Sequence, residues 1–300
     1  MPELLYVLGH ARSGSTAIEG LVSAAGPYRS YGELAHLPKM RDCGELCSCG
    51  VPISECFFWS SLEHDVVVPE LTRGQKAALL VLPKTLWSGA LQQTAREHRR
   101  FVAYLGSNGD VPIDSSKTLH FSYLRPIHLS RMGIQVRGLL PVRNPEQVMV
   151  SASQGPGTLE RAQSNPNLAA MKTMVAWVLS NTVALLVLKA LNGRDARAVS
   201  YEQVAQTPEI LAKSIERCSP DLLKARGLRY FEHGVAGNRT RRHGSDVLTQ
   251  PVERSSDGIP RLLRNACAVT TKPIVNLLKM DEANPSQLGA VPQADLVEAA

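Results

Sequence analysis

The sequence predicts an α/β protein in which helices flank a parallel sheet, giving three layers. Short apolar runs typical of buried strands alternate with segments of helical periodicity, beginning with the run Leu4–Leu8. A glycine-bracketed loop directly follows that first run, and a helix-forming segment follows the loop. Side chains suited to anions come after several predicted strands, at the edge where parallel sheets bind ligands.

The predicted elements follow one another along the chain with turn signals between them. The strands are Leu4–Leu8, Val111–Asp114, Gln135–Val142 and Ala196–Ser200, with a short strand before Glu33; the helices are Thr16–Ala25, Leu119–Leu129, Pro208–Cys218 and one after Pro145. A helical pattern at 71–105, interrupted at Pro83, belongs to an insertion around 38–110 that also contains cysteines and that we expect to cover the site. We therefore predict a single domain over residues 1–280 and a polar C-terminal tail over 281–300.

Composition favours an anionic small ligand over nucleic acid. The chain has 300 residues, a net charge of +6 and 44% hydrophobic residues, but no dense block of Lys and Arg. The longest apolar segment, Met171–Leu191, carries Lys172 and Lys189 and is interrupted by Ser180–Thr182, so we expect a core helix and no membrane span. The first strand begins too near Met1 for a signal peptide, which favours a cytoplasmic protein.

Four cysteines lie close together in the insertion: Cys43, Cys47, Cys49 and Cys56. Their spacing matches no standard zinc motif and contains no paired CxxC knuckle. A structural role, as a disulfide or as reduced packing thiols, is favoured over zinc, and no metal ligands are predicted.

The loop after the first strand is the main candidate site, and we expect Gly9 and Gly14 to allow tight backbone turns and close approach of a ligand. Its backbone N–H groups and the positive end of the following helix favour a phosphate or sulfate, and Arg12 adds a forked, fixed charge. A nucleoside-triphosphate P-loop has the same glycine spacing, but Ser15 stands where that motif has its Lys. The predicted anion-binding residues are Gly9, His10, Ala11, Arg12, Ser13, Gly14, Ser15 and Thr16.

A second anion site is predicted where the strand 135–142 ends. Arg143 follows the strand, Asn144 can cap the next helix and Pro145 suits its first position. Ser151 then falls on the second turn of that helix, near enough to the same edge for both side chains to hold one anion.

These residues resemble motifs of sulfotransferases that use 3′-phosphoadenylyl sulfate (PAPS). Gly9–Thr16 is similar to their 5′-phosphosulfate loop, and the segment from Leu139 through Arg143 to Ser151 is similar to their 3′-phosphate motif. Weaker likenesses to family segments occur, in family order, at Cys47–Trp59, Ser200–Glu202 and His233–Arg241. Asn144 departs from the commoner Asp, and Arg239 stands where many relatives have Pro.

The resemblance implies a P-loop-like sulfotransferase fold and transfer of a sulfuryl group from PAPS to a hydroxyl or amine. It implies nucleotide contacts at Arg143, Ser151, Tyr201, Gly237, Asn238, Arg239 and Arg241. It also implies catalytic roles for Lys117 and Arg12 and a catalytic base at Glu33. His10 and His36 are rival bases because histidine titrates near neutral pH, and His10 can alternatively donate to the sulfate. Cationic side chains can neutralise the charge, so no metal is required.

The acceptor, the partners and two other functions stay open at this stage. The acceptor class is a small molecule, carbohydrate or lipid, and a homodimer is compatible with the sequence. A P-loop kinase acting on ATP predicts a loop Lys and a Mg²⁺-binding carboxylate, for which Asp114 is the candidate. A non-catalytic nucleotide-binding module would keep the loop without the candidate base.

Overall fold

A computed structural model describes residues 1–63, 70–116, 123–154, 165–191, 196–224, 233–235, 260–261, 264–269, 271–272 and 276. Five parallel strands form its sheet in the spatial order β2-β3-β1-β4-β5. They are β1 (Glu3–Val7), β2 (Tyr28–Ser30), β3 (Val111–Asp114), β4 (Gln135–Val142) and β5 (Ala196–Ser200). The predicted parallel α/β fold is therefore confirmed.

Helices connect the strands and cover both faces of the sheet. The α-helices are α1 (Ser15–Ala25), α2 (Leu37–Asp42), α3 (Phe57–Glu63), α4 (Arg73–Val81), α5 (Gly89–Leu105), α6 (Arg125–Arg131), α7 (Pro145–Gln154), α8 (Pro166–Ala190), α9 (Tyr201–Gln206), α10 (Leu211–Ser214) and α11 (Pro220–Lys224). Short 3₁₀ turns lie at Leu34–His36, Lys84–Leu86 and Pro208–Ile210.

The alternation of side chains along β1 creates the two core layers. Leu4, Tyr6 and Leu8 belong to one buried cluster, which also receives side chains from α5 and α8. Leu5 and Val7 belong to the other, which is built with α1. Because successive strand residues point to opposite faces, one fully apolar strand supplies both layers.

The insertion between β2 and β3 contains α2 to α5. The predicted interruption at Pro83 is confirmed, because α4 ends at Val81 and α5 begins at Gly89. Helix α5 contacts β1 and β3, and its buried face includes Phe101 and Val102. This part of the insertion thus forms a flanking layer of the sheet.

The predicted helix Pro208–Cys218 is wrong in its second half. A 3₁₀ turn and the short α10 end at Ser214, Ile215 is extended, and Arg217 has a left-handed φ of 61°. The backbone instead bonds to neighbouring elements, with the Tyr28 hydroxyl donating to the Glu216 carbonyl at 2.7 Å. Of the predicted helix Leu119–Leu129, residues 119–122 lie outside the described residues, and α6 begins at Arg125.

The long apolar helix α8 runs without a break through its polar interruption. The Asn181 Nδ2 and the Thr182 Oγ1 donate to backbone carbonyls one turn earlier, so these two donors are accommodated within the helix. The helical segment Asn167–Ala190 is long and apolar enough to cross a membrane. An 18-residue stretch within it has a mean hydropathy of 1.6, and 33% of that stretch is buried. The face carrying Trp177 and Ala184 packs into the core beside the sheet, as expected for a core helix.

Candidate functional site

The strand order places the glycine loop beside Arg143. Strand β1 lies between β3 and β4, and the chain winds towards β2 on one side and towards β5 on the other. In open α/β sheets, ligands bind at such a reversal point, beyond the carboxyl ends of the strands. The loop after β1 and the turn after β4 both lie at that edge, and the Leu8 N–H donates to the Leu139 carbonyl at 2.8 Å.

The loop backbone makes a sequence of left-handed turns. Gly9, Arg12 and Gly14 have φ values of 103°, 65° and 82°, and the Ser13 N–H donates to the His10 carbonyl at 3.3 Å. A positive φ at an arginine is uncommon and costs on the order of 1 kcal/mol. The surrounding structure therefore holds Arg12 in a conformation that it would not adopt by itself.

Packing against the protein itself requires both glycines. A Cβ at Gly9 would lie 3.1 Å from the Pro141 carbonyl oxygen, and one at Gly14 would overlap the Tyr201 ring. We expected these glycines to permit close approach of a ligand, but the space beside them is filled by β4 and by Tyr201. Their positive φ values are consistent with the expected tight turns.

A buried hydroxyl in the loop has no protein partner in the part of the chain that the structure describes. The Ser13 side chain is fully buried, and its Oγ makes no hydrogen bond there. Gly14 precedes α1 and has no side chain to cap that 11-residue helix. An anion at the loop would supply acceptors for such donors, because buried hydroxyls and helix N-termini both need partners.

Arg12, Arg143 and Ser151 lie together. The Arg143 Nη1 is 3.4 Å from the Arg12 carbonyl oxygen, and the Arg12 Nη1 is 3.3 Å from the Ser151 Oγ. Ser151 is 7% exposed, whereas both arginines are partly exposed. Two guanidinium groups from different strand ends therefore border one site, although like charges repel. Such an arrangement is suited to a dianionic or larger anionic ligand.

Tyr201 contacts both anion-binding corners of the site. The first corner is the glycine loop with Arg12, and the second is the end of β4 with Arg143. The Tyr201 ring packs on Gly14, and the Arg143 guanidinium lies 5.1 Å from the ring centroid. Burial raises the pKa of Tyr201, while the Arg143 charge opposes that shift. As predicted, Asn144 caps α7, because its Oδ1 accepts from the Glu146 N–H at 2.9 Å.

Two of the three candidate bases form a pair after β2. The Glu33 Oε2 and His36 Nε2 are 3.5 Å apart, and each side chain is about one-quarter exposed. The third, His10, is largely buried, and its Nδ1 lies 2.7 Å from the Ala11 carbonyl oxygen. Because a carbonyl only accepts, this contact assigns the proton to Nδ1, so the neutral ring carries its lone pair on Nε2.

Two hydrogen bonds hold the end of β3 against the segment around Glu33. The Ser116 Oγ accepts from the Ala35 N–H at 2.8 Å, and the Ser115 N–H donates to the Gly32 carbonyl at 2.8 Å. Lys117, the next residue, lies outside the described residues. Gly237, Asn238, Arg239 and Arg241 lie outside them as well.

Asp114 is bound within the protein. It is fully buried, its Oδ2 accepts from the Arg125 Nε at 3.1 Å, and its Oδ1 accepts from the Ser116 N–H at 2.9 Å. A carboxylate compensated in this way is poorly placed to ligate Mg²⁺, which is what the kinase alternative required of it.

A cavity of about 560 Å³ opens on the other side of Arg143. The turn after β4, strand β5 and the described residues 264, 267, 268, 271, 272 and 276 border it, and its basic side chains include Arg143, Arg264 and Lys272. Its volume is within the range of small-molecule sites. Sequence reasoning missed Arg264 and Lys272, because neither belongs to a recognisable motif.

The clustered cysteines are free thiols in the structure. Cys43 is exposed and separate, whereas Cys47, Cys49 and Cys56 gather with His233. The sequence did not predict this grouping, because His233 lies far along the chain from the cysteines.

The solved structures that are similar to this chain include two sulfotransferase domains. The domain from the Synechococcus PCC 7002 olefin synthase has 19% identity and a TM-score of 0.45, covering 92% of this chain and 94% of that chain. The domain from the curacin biosynthetic pathway has 17% identity and a TM-score of 0.43, covering 93% and 98%. No family model and no curated protein matches the sequence.

Proposed function

We propose that this protein is a sulfotransferase that moves a sulfuryl group from PAPS to a hydroxyl or amine of a small-molecule, carbohydrate or lipid acceptor. The observation that carries the proposal is the contact between the two anion-binding corners, in which Arg143 reaches the Arg12 carbonyl and Arg12 reaches Ser151. PAPS carries a phosphosulfate at one end of its ribose and a phosphate at the other. Two adjacent cationic corners suit that charge distribution.

The glycine loop would hold the phosphosulfate. Its backbone N–H groups, the Ser13 hydroxyl and the Arg12 guanidinium are donors for the sulfate and phosphate oxygens. PAPS supplies the activated sulfuryl group, and negative charge builds on the leaving phosphate as transfer proceeds. Fixed donors aimed at that charge lower the barrier without reorganising during the reaction.

Arg143 would bind the 3′-phosphate at the second corner, at the end of β4. The Ser151 hydroxyl accepts from Arg12 and can rotate towards a bound phosphate. Gly237, Asn238, Arg239 and Arg241 remain proposed contacts on the strength of the sequence resemblance.

A carboxylate or an imidazole would take the acceptor proton. We assign this role to Glu33, at the carboxyl-terminal edge of the sheet beside the end of β3. His36 contacts the Glu33 carboxylate and can orient it. His10 is the rival, because its Nε2 lone pair can accept a proton. Lys117 remains the proposed catalytic lysine.

The kinase alternative loses support in the structure. The loop has Ser15 where a Walker lysine would stand, and Asp114 is already paired with Arg125. The test is incubation of the full chain with PAPS and a panel of sugars, lipids and small alcohols or amines, in magnesium-free buffer without chelator. Mass spectrometry would detect the sulfated product, and chromatography would detect adenosine 3′,5′-bisphosphate.

Sulfation of at least one acceptor with equal release of the bisphosphate supports the proposal. A parallel incubation supplies ATP–Mg²⁺ in place of PAPS, and group transfer only in that incubation would contradict the proposal. Tight binding of the bisphosphate without turnover on the whole panel would favour a non-catalytic nucleotide-binding module.

A further inference from the structure

Four side chains with metal-binding atoms converge outside the proposed nucleotide site. The sulfurs of Cys47, Cys49 and Cys56 and a ring nitrogen of His233 all lie within 4.8 Å of one another. The Cys49 and Cys56 sulfurs are 3.6 Å apart. The His233 Nδ1 lies 3.3 Å from the Cys56 sulfur and 4.0 Å from the Cys47 sulfur.

The three distances just given are close to the edges of a tetrahedral zinc site. Zinc binds thiolate sulfur at about 2.3 Å and imidazole nitrogen at about 2.0–2.1 Å. Around a tetrahedral ion, those bond lengths place two sulfurs about 3.8 Å apart and a sulfur and a nitrogen about 3.6 Å apart. The observed sulfur–sulfur distance of 3.6 Å is slightly shorter than the first value, and the nitrogen–sulfur distances of 3.3 and 4.0 Å lie on either side of the second. We propose that Cys47, Cys49, Cys56 and His233 form a structural Zn²⁺ site.

Local backbone structure prearranges the cysteine ligands. The Cys47 N–H donates to the Val51 carbonyl at 2.8 Å, and the Gly50 N–H donates to the Cys47 carbonyl at 2.9 Å. Gly50 has a φ of 94°, which lets the chain turn tightly. Cys47 and Cys49 are thereby directed to one point although a single residue separates them.

The histidine ligand is oriented independently of the cysteines. Its ring stacks on Phe58 with the centroids 4.8 Å apart and an interplanar angle of 7°. The neighbouring Gly234 exchanges two hydrogen bonds with Ser48. The Ser48 N–H donates to the Gly234 carbonyl at 3.2 Å, and the Gly234 N–H donates to the Ser48 hydroxyl at 2.7 Å. Residue 233 is therefore held against the cysteine turn by contacts that do not involve the ligand atoms.

The donor set selects zinc and a structural role. Three thiolates and an imidazole are soft or borderline ligands, and four of them complete a tetrahedron without leaving a position for substrate. The ion would join the cysteine turn to the segment 233–235. Val235 donates to the Tyr31 carbonyl at 2.8 Å, and its own carbonyl accepts from the Glu33 N–H at 2.9 Å. Zinc would thus fix a segment that pairs with the backbone of the proposed base, although zinc binding does not depend on that role.

The direct test is the metal content of the full chain, purified with a reductant and without chelator. Elemental mass spectrometry should find about one zinc per chain, as a closed site of four protein ligands predicts. Cys56→Ser and His233→Ala should lower that content at least fivefold. Cys43→Ser is the matched control, because Cys43 is in the same segment but outside the cluster, and it should retain the metal. His233→Cys should restore binding through a fourth thiolate.

Cobalt substitution tests the site without any mutation. Exchange of the wild-type chain with Co²⁺ should give sulfur-to-cobalt charge transfer and the visible bands of a tetrahedral thiolate complex, and added Zn²⁺ should abolish them. Lack of both zinc and these bands in folded wild-type protein would overturn the proposal. Equal zinc loss in Cys43→Ser, or a Cys49–Cys56 disulfide in the reduced preparation, would overturn it as well.

Discussion

Replacing Arg143 by alanine should weaken nucleotide binding much more than it weakens the fold. The Arg143 guanidinium makes one long contact, 3.4 Å to the Arg12 carbonyl, and lies 5.1 Å from the centre of the Tyr201 ring. Neither contact is strong, so removing them should lower the melting temperature only slightly. A 3′-phosphate, in contrast, would lose a charge-assisted hydrogen bond worth about 1.5–3 kcal/mol.

That free energy corresponds to roughly a 10- to 150-fold increase in the dissociation constant. Isothermal titration with adenosine 3′,5′-bisphosphate measures it, and adenosine 5′-phosphosulfate, which lacks the 3′-phosphate, provides the comparison. We expect Arg143→Ala to weaken the bisphosphate strongly and the phosphosulfate little. Arg12→Ala should weaken both, because Arg12 belongs to the loop that would bind the shared 5′ end.

The matched control is Arg96→Ala. Arg96 is an exposed arginine of α5 whose guanidinium binds Gln93 on the same helix, so its loss removes the same charge elsewhere. An unchanged bisphosphate affinity in folded Arg143→Ala would refute the reasoning. An equal loss of bisphosphate affinity in Arg96→Ala would show that the effect comes from net charge alone.

Three further predictions concern catalysis and stability. Glu33→Gln should reduce turnover at least tenfold, as loss of a general base does, while bisphosphate affinity stays within twofold; full activity would transfer the role to another base. Asp114→Asn should cost about 3 kcal/mol of unfolding free energy in urea, because it leaves Arg125 without its buried partner; a stable variant would contradict this. Burial lowers the pKa of His98 to about 4, so the unfolded chain binds its proton first as the pH falls below about 6.5. The free energy of unfolding should therefore decrease as the pH is lowered from about 6.5 to about 4, and His98→Gln should flatten this decrease. An unchanged pH profile in that variant would oppose the assignment.

Local patterns were sufficient to predict most of the sheet. The runs at Val111–Asp114, Gln135–Val142 and Ala196–Ser200 become strands with the predicted bounds. Their side chains are apolar enough to be buried by two helical layers, and turn residues separate them. The proximity of Arg12 and Arg143 also followed, because the ends of parallel strands share an edge.

Features that depend on distant contacts could not be predicted in this way. The helix expected to continue to Cys218 ends early because the segment after it bonds to Tyr28, whose position depends on the sheet. His233 joins the cysteine cluster from 177 residues beyond Cys56, so no local spacing records the pair. The Tyr201 ring likewise occupies the space beside Gly14, and this contact joins residues that follow two separate strands.

The central claim is that one adenosine bisphosphate spans the corners formed by Arg12 and Arg143. Its most direct test is calorimetric titration of the wild-type chain with adenosine 3′,5′-bisphosphate and, separately, with ATP–Mg²⁺. The first titration uses magnesium-free buffer without chelator, so that any bound zinc is kept. We expect one bisphosphate per chain, bound without magnesium and more tightly than ATP–Mg²⁺. Tighter, magnesium-dependent binding of ATP would contradict it.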